Sequence, residues 1–195
     1  MKSKKLWFDT ETTGIDPFKH DIVQIAGLIE IDGVICEEFN IKCAPTNLET
    51  VSQEALDVTG LTLDEIKSWQ APGFALNQLL KIFDKYIDKF NKADRFTPCG
   101  HNSQFDLNML QSFFRKNGNK FGTGSYQNWK AIDTLMFVRI IDDAYPLGVE
   151  NHKLGTLCEH FGISIDAHDA LSDIKATREL YSKLLRYLNK EARSL

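Results

Sequence analysis

Cysteine, proline, long apolar runs and excess positive charge are all scarce in this chain, and each scarcity removes a class of protein. Four cysteines in 195 residues (Cys36, Cys43, Cys99 and Cys158) are too scattered for a disulfide framework, so a reducing compartment is the simpler setting. Cys99-x-His101 and Cys158-x-His160 lack the spacing of structural zinc sites and read as core cysteines. The five prolines are spread out, so no proline-rich linker, low-complexity tract or repeat divides the chain. No stretch approaches the roughly 18 consecutive apolar residues of a membrane span. The apolar run after the basic Met1-Lys2-Ser3-Lys4-Lys5 is also too short for a signal peptide. A soluble, cytoplasmic protein with no membrane partner is expected. Net charge is −4. Proteins that grip long duplex DNA through many phosphates are usually basic. Any nucleic acid bound here would be a short strand end, with cations supplying the positive charge. With 43% hydrophobic residues, one domain spanning 1–195 with a sizeable core is expected.

Alternation and turn residues predict strands over 4–9, 22–31 and 34–41, the last two joined by the hairpin signal Asp32-Gly33. Capping-box patterns occur at Thr50–Gln53, opening a short helix through Leu56, and at Thr62–Glu65. After Ala71-Pro72-Gly73, the apolar residues Leu76, Leu79, Leu80, Phe83, Ile87 and Phe90 recur at helical spacing. Further elements are a strand over 96–99, a helix over 103–116, a strand over 129–132 and helices over 134–141, 153–161 and 169–189. The segment 117–128 is rich in Gly and Asn and reads as a mobile loop. Strands first, then alternating helices and strands, predict an α/β fold: a mixed sheet, antiparallel meander plus parallel strands, flanked by helices.

The most informative segment is Phe8-Asp9-Thr10-Glu11-Thr12-Thr13-Gly14. It ends the apolar run Leu6-Trp7-Phe8 and places two carboxylates at i and i+2, on one face of a strand. Like charges held that close repel unless protons or a cation intervene, and no Lys or Arg adjoins them. A hard divalent metal with oxygen ligands is the economical answer. Alternatives are a strand-end turn pair, or a glycosidase acid and base with carboxyls about 5–9.5 Å apart. Asp106, between Phe105 and Leu107, and Asp173, before Ile174, stand at borders of apolar helix faces, where charges are rarely buried unless paired or metal-bound. Each taken alone could be an early-helix acid favoured by the helix dipole. His20, His152 and His160 read as surface or core residues, His101 as structural, and Asp169 as an N-cap or surface acid.

Three segments together, 8–14, His101-Asn102-Ser103-Gln104-Phe105-Asp106 and His168-Asp169-Ala170-Leu171-Ser172-Asp173, resemble in order and spacing the exonuclease motifs of the DEDDh (DnaQ-like) superfamily. That group includes the proofreading epsilon subunit of bacterial DNA polymerase III, ribonuclease T and oligoribonuclease. Val58-Thr59-Gly60-Leu61-Thr62 and Ile132-Asp133-Thr134-Leu135 resemble lesser landmarks of the same group. The resemblance implies a ribonuclease H-like fold and a 3′→5′ exonuclease using two divalent cations, Mg²⁺ or Mn²⁺. It implies that Asp9, Glu11 and Asp173 hold one ion, that Asp9 bridges to a second, and that Asp106 supports the second directly or through water. His168 would be the general base, with a suitable pKa near 6.5. Thr12, Thr13, Gly14, Leu61, Asn102 and Phe105 would contact the substrate. Phe105 would stack on a base or sugar, although plain helix core is an equal reading. The implied partner is a single-stranded 3′ end, DNA before RNA, with a DNA polymerase as a further partner. An RNA-directed enzyme of the same fold, and an inactive module that binds strand ends or a polymerase, are the competing expectations.

Overall fold

The computed structural model describes residues 3–166 and 169–191. The first strand, β1 (Lys4–Thr12), is the middle of a five-stranded sheet. On one side it pairs antiparallel with β2 (Ile22–Ile31), which pairs antiparallel with β3 (Val34–Lys42). On the other side it pairs parallel with the short β4 (Thr97–Gly100), which pairs parallel with β5 (Ile132–Asp133). The β2–β3 hairpin turns on Asp32 and Gly33, both at positive φ (51° and 87°), the backbone that the two-residue turn requires.

Among the described residues seven α-helices surround the sheet: α1 (Gln53–Thr59), α2 (Leu63–Ser68), α3 (Pro72–Phe83), α4 (Ser103–Lys116), α5 (Thr134–Ala144), α6 (Leu154–Phe161) and α7 (Ala170–Glu191). Side chains of β1 alternate between the two layers. Leu6 and Phe8 face α3 and α4, meeting Leu79, Phe83, Leu107 and Leu110. Trp7 faces α7, meeting Ile174 and Tyr181. β2 is buried along almost its whole length because both faces are covered, and it reads as continuous apolar sequence.

Three expectations need correction. Thr50 caps no helix: Leu48–Thr50 is a 3₁₀ turn capped by Asn47, and α1 begins at Gln53 behind Ser52. The box at Thr62 and Glu65 does form, with both reciprocal bonds. The helix expected to run on past Ile87 ends at Phe83. Beyond it the side chains of Asp88, Asn91 and Asp94 accept bonds from backbone N–H groups, offering the chain an alternative to the helical ladder. The Gly- and Asn-rich segment is not loose. Buried Gln111 accepts from both the N–H (2.8 Å) and the hydroxyl (2.9 Å) of Thr123, and Gly122 at φ 62° packs against the same amide.

Candidate active site

The site begins where β1 outruns its parallel neighbour. Pairing with β4 stops at Trp7–Cys99, so the last residues of β1 have a free edge on that side. Helix α4 enters there, and its first turn brings Asp106 against the strand. The Asp106 Oδ1 accepts from the Thr10 N–H (3.0 Å) and from the Thr10 hydroxyl (2.6 Å), taking up the backbone donor that β4 leaves unpaired. The entry of α4 is fixed by Asp133 at the end of β5. One of its oxygens accepts from the Asn102 N–H (3.0 Å) and the Leu135 N–H (2.9 Å), the other from the Ser103 N–H (3.0 Å). One carboxylate therefore caps α4 and α5 together. His101 bridges the Thr134 hydroxyl and the His152 carbonyl; burial holds its pKa below the ordinary value.

Asp9 and Glu11 share the parity of Trp7 and so face α7. That helix is tied to the sheet by Arg178, whose Nε donates to buried Glu30 at 2.6 Å. Lys5 (2.9 Å) and the Trp7 indole N–H (3.2 Å) donate to the same carboxylate. Burial opposes the ionised form of Glu30, but these bonds outweigh it and lower its pKa. Thus seated, α7 presents Asp173 to β1. Asp9, Glu11 and Asp173 each offer an oxygen within 4.8 Å of the others.

Electrostatics mark the cluster as strained without a cation. Burial raises the Asp9 pKa well above the carboxylate range, and Asp106, Glu11 and Asp173 push the same way. Glu11 is pushed up to about 7 by burial, then by Asp173, Asp106 and Asp169. Burial raises Asp106 to about 7 even though the Thr10 bonds favour its ionised form. Among the described residues, the charges that shift Asp9 and Glu11 are other carboxylates. A donor set made of carboxylate oxygens fits a hard divalent cation such as Mg²⁺ or Mn²⁺.

Beside the acids lies a cavity of about 340 Å³. Of the residues expected to contact substrate, Thr12, Gly14 and Phe105 line it together with Glu11, and Phe105 also packs against the main core. Its far wall is α1, through Ala55, Val58 and Thr59. Gly14, at φ 154°, adopts a backbone that L side chains rarely reach, and it turns the chain under the cavity. The other expected contacts lie elsewhere. Thr13 is fully buried, its hydroxyl accepting from the Asp21 N–H at 2.9 Å. Leu61 packs with Val23, Leu56 and Ile66. Asn102 lies at the N-terminus of α4, at φ 62°, and borders a different groove with His101 and Arg139. The bonds that orient Asp106 come from Thr10. His168 lies outside the described residues. The residue-by-residue reading missed Thr10, Asp133, Glu30 and the α1 wall; the one signal for two of these was the pair of lesser landmarks, which contain Asp133 and Val58-Thr59.

A family model described as Exonuclease (RNase_T) matches residues 6–181. The chain belongs to this exonuclease family. It is similar to PolC-type DNA polymerase III of Halalkalibacterium halodurans, 29% identical over 187 residues, which is 95% of this chain and 12% of that protein. The PolC-type enzyme of Bacillus subtilis is 29% identical over 180 residues, 92% of this chain and 11% of that protein. The chain thus spans about a tenth of these relatives' length. Among solved structures, Escherichia coli Exonuclease I in complex with a dT13 oligonucleotide superposes with TM-score 0.75 at 22% identity. That match covers 94% of this chain and 40% of the other. Exonuclease I from Methylocaldum szegediense gives 0.71 at 22%, covering 95% and 40%. At these identities the likeness speaks for the fold: the exonuclease-family domain here is a mixed sheet flanked by helices in the ribonuclease H-like arrangement. No helix among the described residues is long and apolar enough to cross a membrane.

Proposed function

We propose that this exonuclease-family chain is a metal-dependent 3′→5′ exonuclease that releases nucleoside 5′-monophosphates from single-stranded or frayed DNA ends. One observation carries the reading: three carboxylates lie within 4.8 Å of one another, and one of them, Glu11, lines a cavity of about 340 Å³. Asp9, Glu11 and Asp173 would hold one cation, Asp9 would bridge to a second, and Asp106, fixed by Thr10, would support that second ion. When bound, such a pair supplies positive charge to both the attacking and the leaving oxygen of an in-line displacement at phosphorus. The chain's own groups do the rest. Gly14 and Thr12 border the place of the terminal nucleotide, and Phe105 offers a face for stacking, worth about 1–3 kcal/mol per base and indifferent to sequence. His168, one residue before Asp169, takes the proton from the attacking water as general base.

DNA is preferred to RNA on the strength of the relatives, which are named as DNA polymerases, and of the oligonucleotide held by the Exonuclease I structure. The same relatives support a role beside a DNA polymerase. The test uses matched DNA and RNA oligonucleotides labelled at the 5′ end, with Mg²⁺ and with EDTA. A ladder shortening from the 3′ end only with metal, faster on DNA, is expected. Faster loss of RNA would move the assignment to an exoribonuclease. Metal-independent binding without cleavage would replace it with an inactive strand-end module.

A further inference from the structure

Among the side chains lining the cavity beside the acids, most polar groups have no proton to give a ligand. The Thr10 hydroxyl donates to Asp106, the Thr12 hydroxyl to the Gly14 carbonyl (2.9 Å) and the Thr59 hydroxyl to the Ala55 carbonyl (3.0 Å). Glu11 and Glu54, when ionised, can only accept. Ser52 and His20 remain.

Of these two, His20 is held in place and its proton is assigned. The Asp16 N–H donates to His20 Nδ1 at 2.9 Å. A nitrogen that accepts carries no hydrogen, so the ring is neutral and its proton is on Nε2. The backbone is fixed on both sides: the His20 N–H donates to the Asp16 carbonyl (2.8 Å), and the His20 carbonyl accepts from Lys116 Nζ (2.7 Å). The Cγ–Cδ2–Nε2 side of the ring lies over Gly14. A Cβ at position 14 would come within 2.5 Å of Cδ2 and 2.6 Å of Nε2. The imidazole thus fills the volume that a side chain at 14 would occupy, at the cavity wall. Among the described residues Nε2 makes no hydrogen bond. Apolar surface from Phe105, Ala55 and Val58 also lines the cavity, as a flat ring would need.

We propose that His20 binds the 3′-terminal nucleoside, donating from Nε2 to one of its acceptor oxygens on the sugar or the base. The inference rests on the exonuclease reading above. Nothing in it requires His20 to titrate or to take part in proton transfer; it is a rigid donor that selects and positions the terminal unit.

The test compares wild type, His20→Asn and His20→Gln. Asparagine keeps an acceptor for the Asp16 N–H but falls short of the Nε2 position; glutamine reaches it with an amide N–H. Binding of thymidine 5′-monophosphate is measured by calorimetry, alongside thermal unfolding and KM on a 5′-labelled DNA oligonucleotide. His20→Asn is expected to unfold like wild type, to bind the nucleotide about tenfold more weakly and to raise KM by a similar factor, with His20→Gln recovering most of the loss. Repeating the titration with the 3′-deoxy analogue and with deoxyribose 5-phosphate separates the acceptors. A loss that vanishes for the 3′-deoxy analogue places the acceptor on the sugar, and one that vanishes for the abasic sugar places it on the base. Wild-type affinity in His20→Asn, or equal weakness in both variants, would overturn the proposal while leaving the exonuclease reading intact. A wild-type protein that degrades no strand with metal would remove both.

Discussion

Thr10 gives Asp106 two hydrogen bonds on a single oxygen, one from its backbone and one from its side chain. The backbone bond survives any substitution but proline, so the hydroxyl can be tested alone. Thr10→Val is expected to cost about 1–3 kcal/mol, the range for leaving a buried acceptor under-satisfied. Urea unfolding measures this, and strand degradation should slow because Asp106 loses its fixed orientation.

Burial and three neighbouring carboxylates all oppose the ionised form of Asp9. Replacing it relieves repulsion in the metal-free protein while removing the ligand shared between ions. Asp9→Asn should unfold in EDTA at or above the wild-type temperature, yet leave a 5′-labelled oligonucleotide intact. A destabilised variant, or one that still digests the strand, would contradict the assignment.

Glu11 sets a pH dependence whose sign is fixed by its raised pKa. Its folded-state value is about 7, above the 4.5 of the unfolded chain, so the native state binds the extra proton between them. The contribution is full below about pH 4.5 and is lost as pH rises through 7. Metal-free wild type should therefore lose stability across that window relative to Glu11→Gln. Mg²⁺ or Mn²⁺ should raise the unfolding temperature more at the alkaline end, where the ligands are deprotonated. Differential scanning calorimetry at several pH values, with and without cation, decides it.

Arg178 and Glu30 anchor the helix that carries Asp173. Arg178→Ala leaves Glu30 with Lys5 and the Trp7 indole, so the carboxylate is weakened rather than orphaned. A loss of about 1.5–3 kcal/mol is expected for one charge-assisted bond. Cation affinity, followed by calorimetric titration, should fall with it because Asp173 rides on the same helix.

Much of this was legible in the sequence because it depends on local pattern. Alternation over Leu6-Trp7-Phe8 and the i, i+2 acids announce a buried strand with its carboxylates on one side. Asp32-Gly33 announces a hairpin, and the apolar spacing in 103–116 gives the bounds of α4. What escaped depends on partners far apart in the chain. Nothing near Thr10 says that a helix nearly a hundred residues later will take up its N–H. Nothing near Glu30 says that it will meet Arg178. The end of α3 escaped for a different reason: its apolar spacing continues past Phe83, but nearby Asp and Asn side chains compete for the backbone. Leu61 and Thr13 sit beside motif residues in sequence, yet Leu61 packs on the Val23, Leu56 and Ile66 cluster and the Thr13 hydroxyl turns inward to the Asp21 N–H.

The double cap at Asp133 has a consequence for anyone reading mutants. Two helices hang from one side chain that touches neither the acid cluster nor the cavity, yet it decides where Asp106 arrives. A defect there would look in an assay like the loss of a catalytic group. Only a structural probe of the α4 entrance would reveal that the damage is to the scaffold's hinge pin and not to the chemistry.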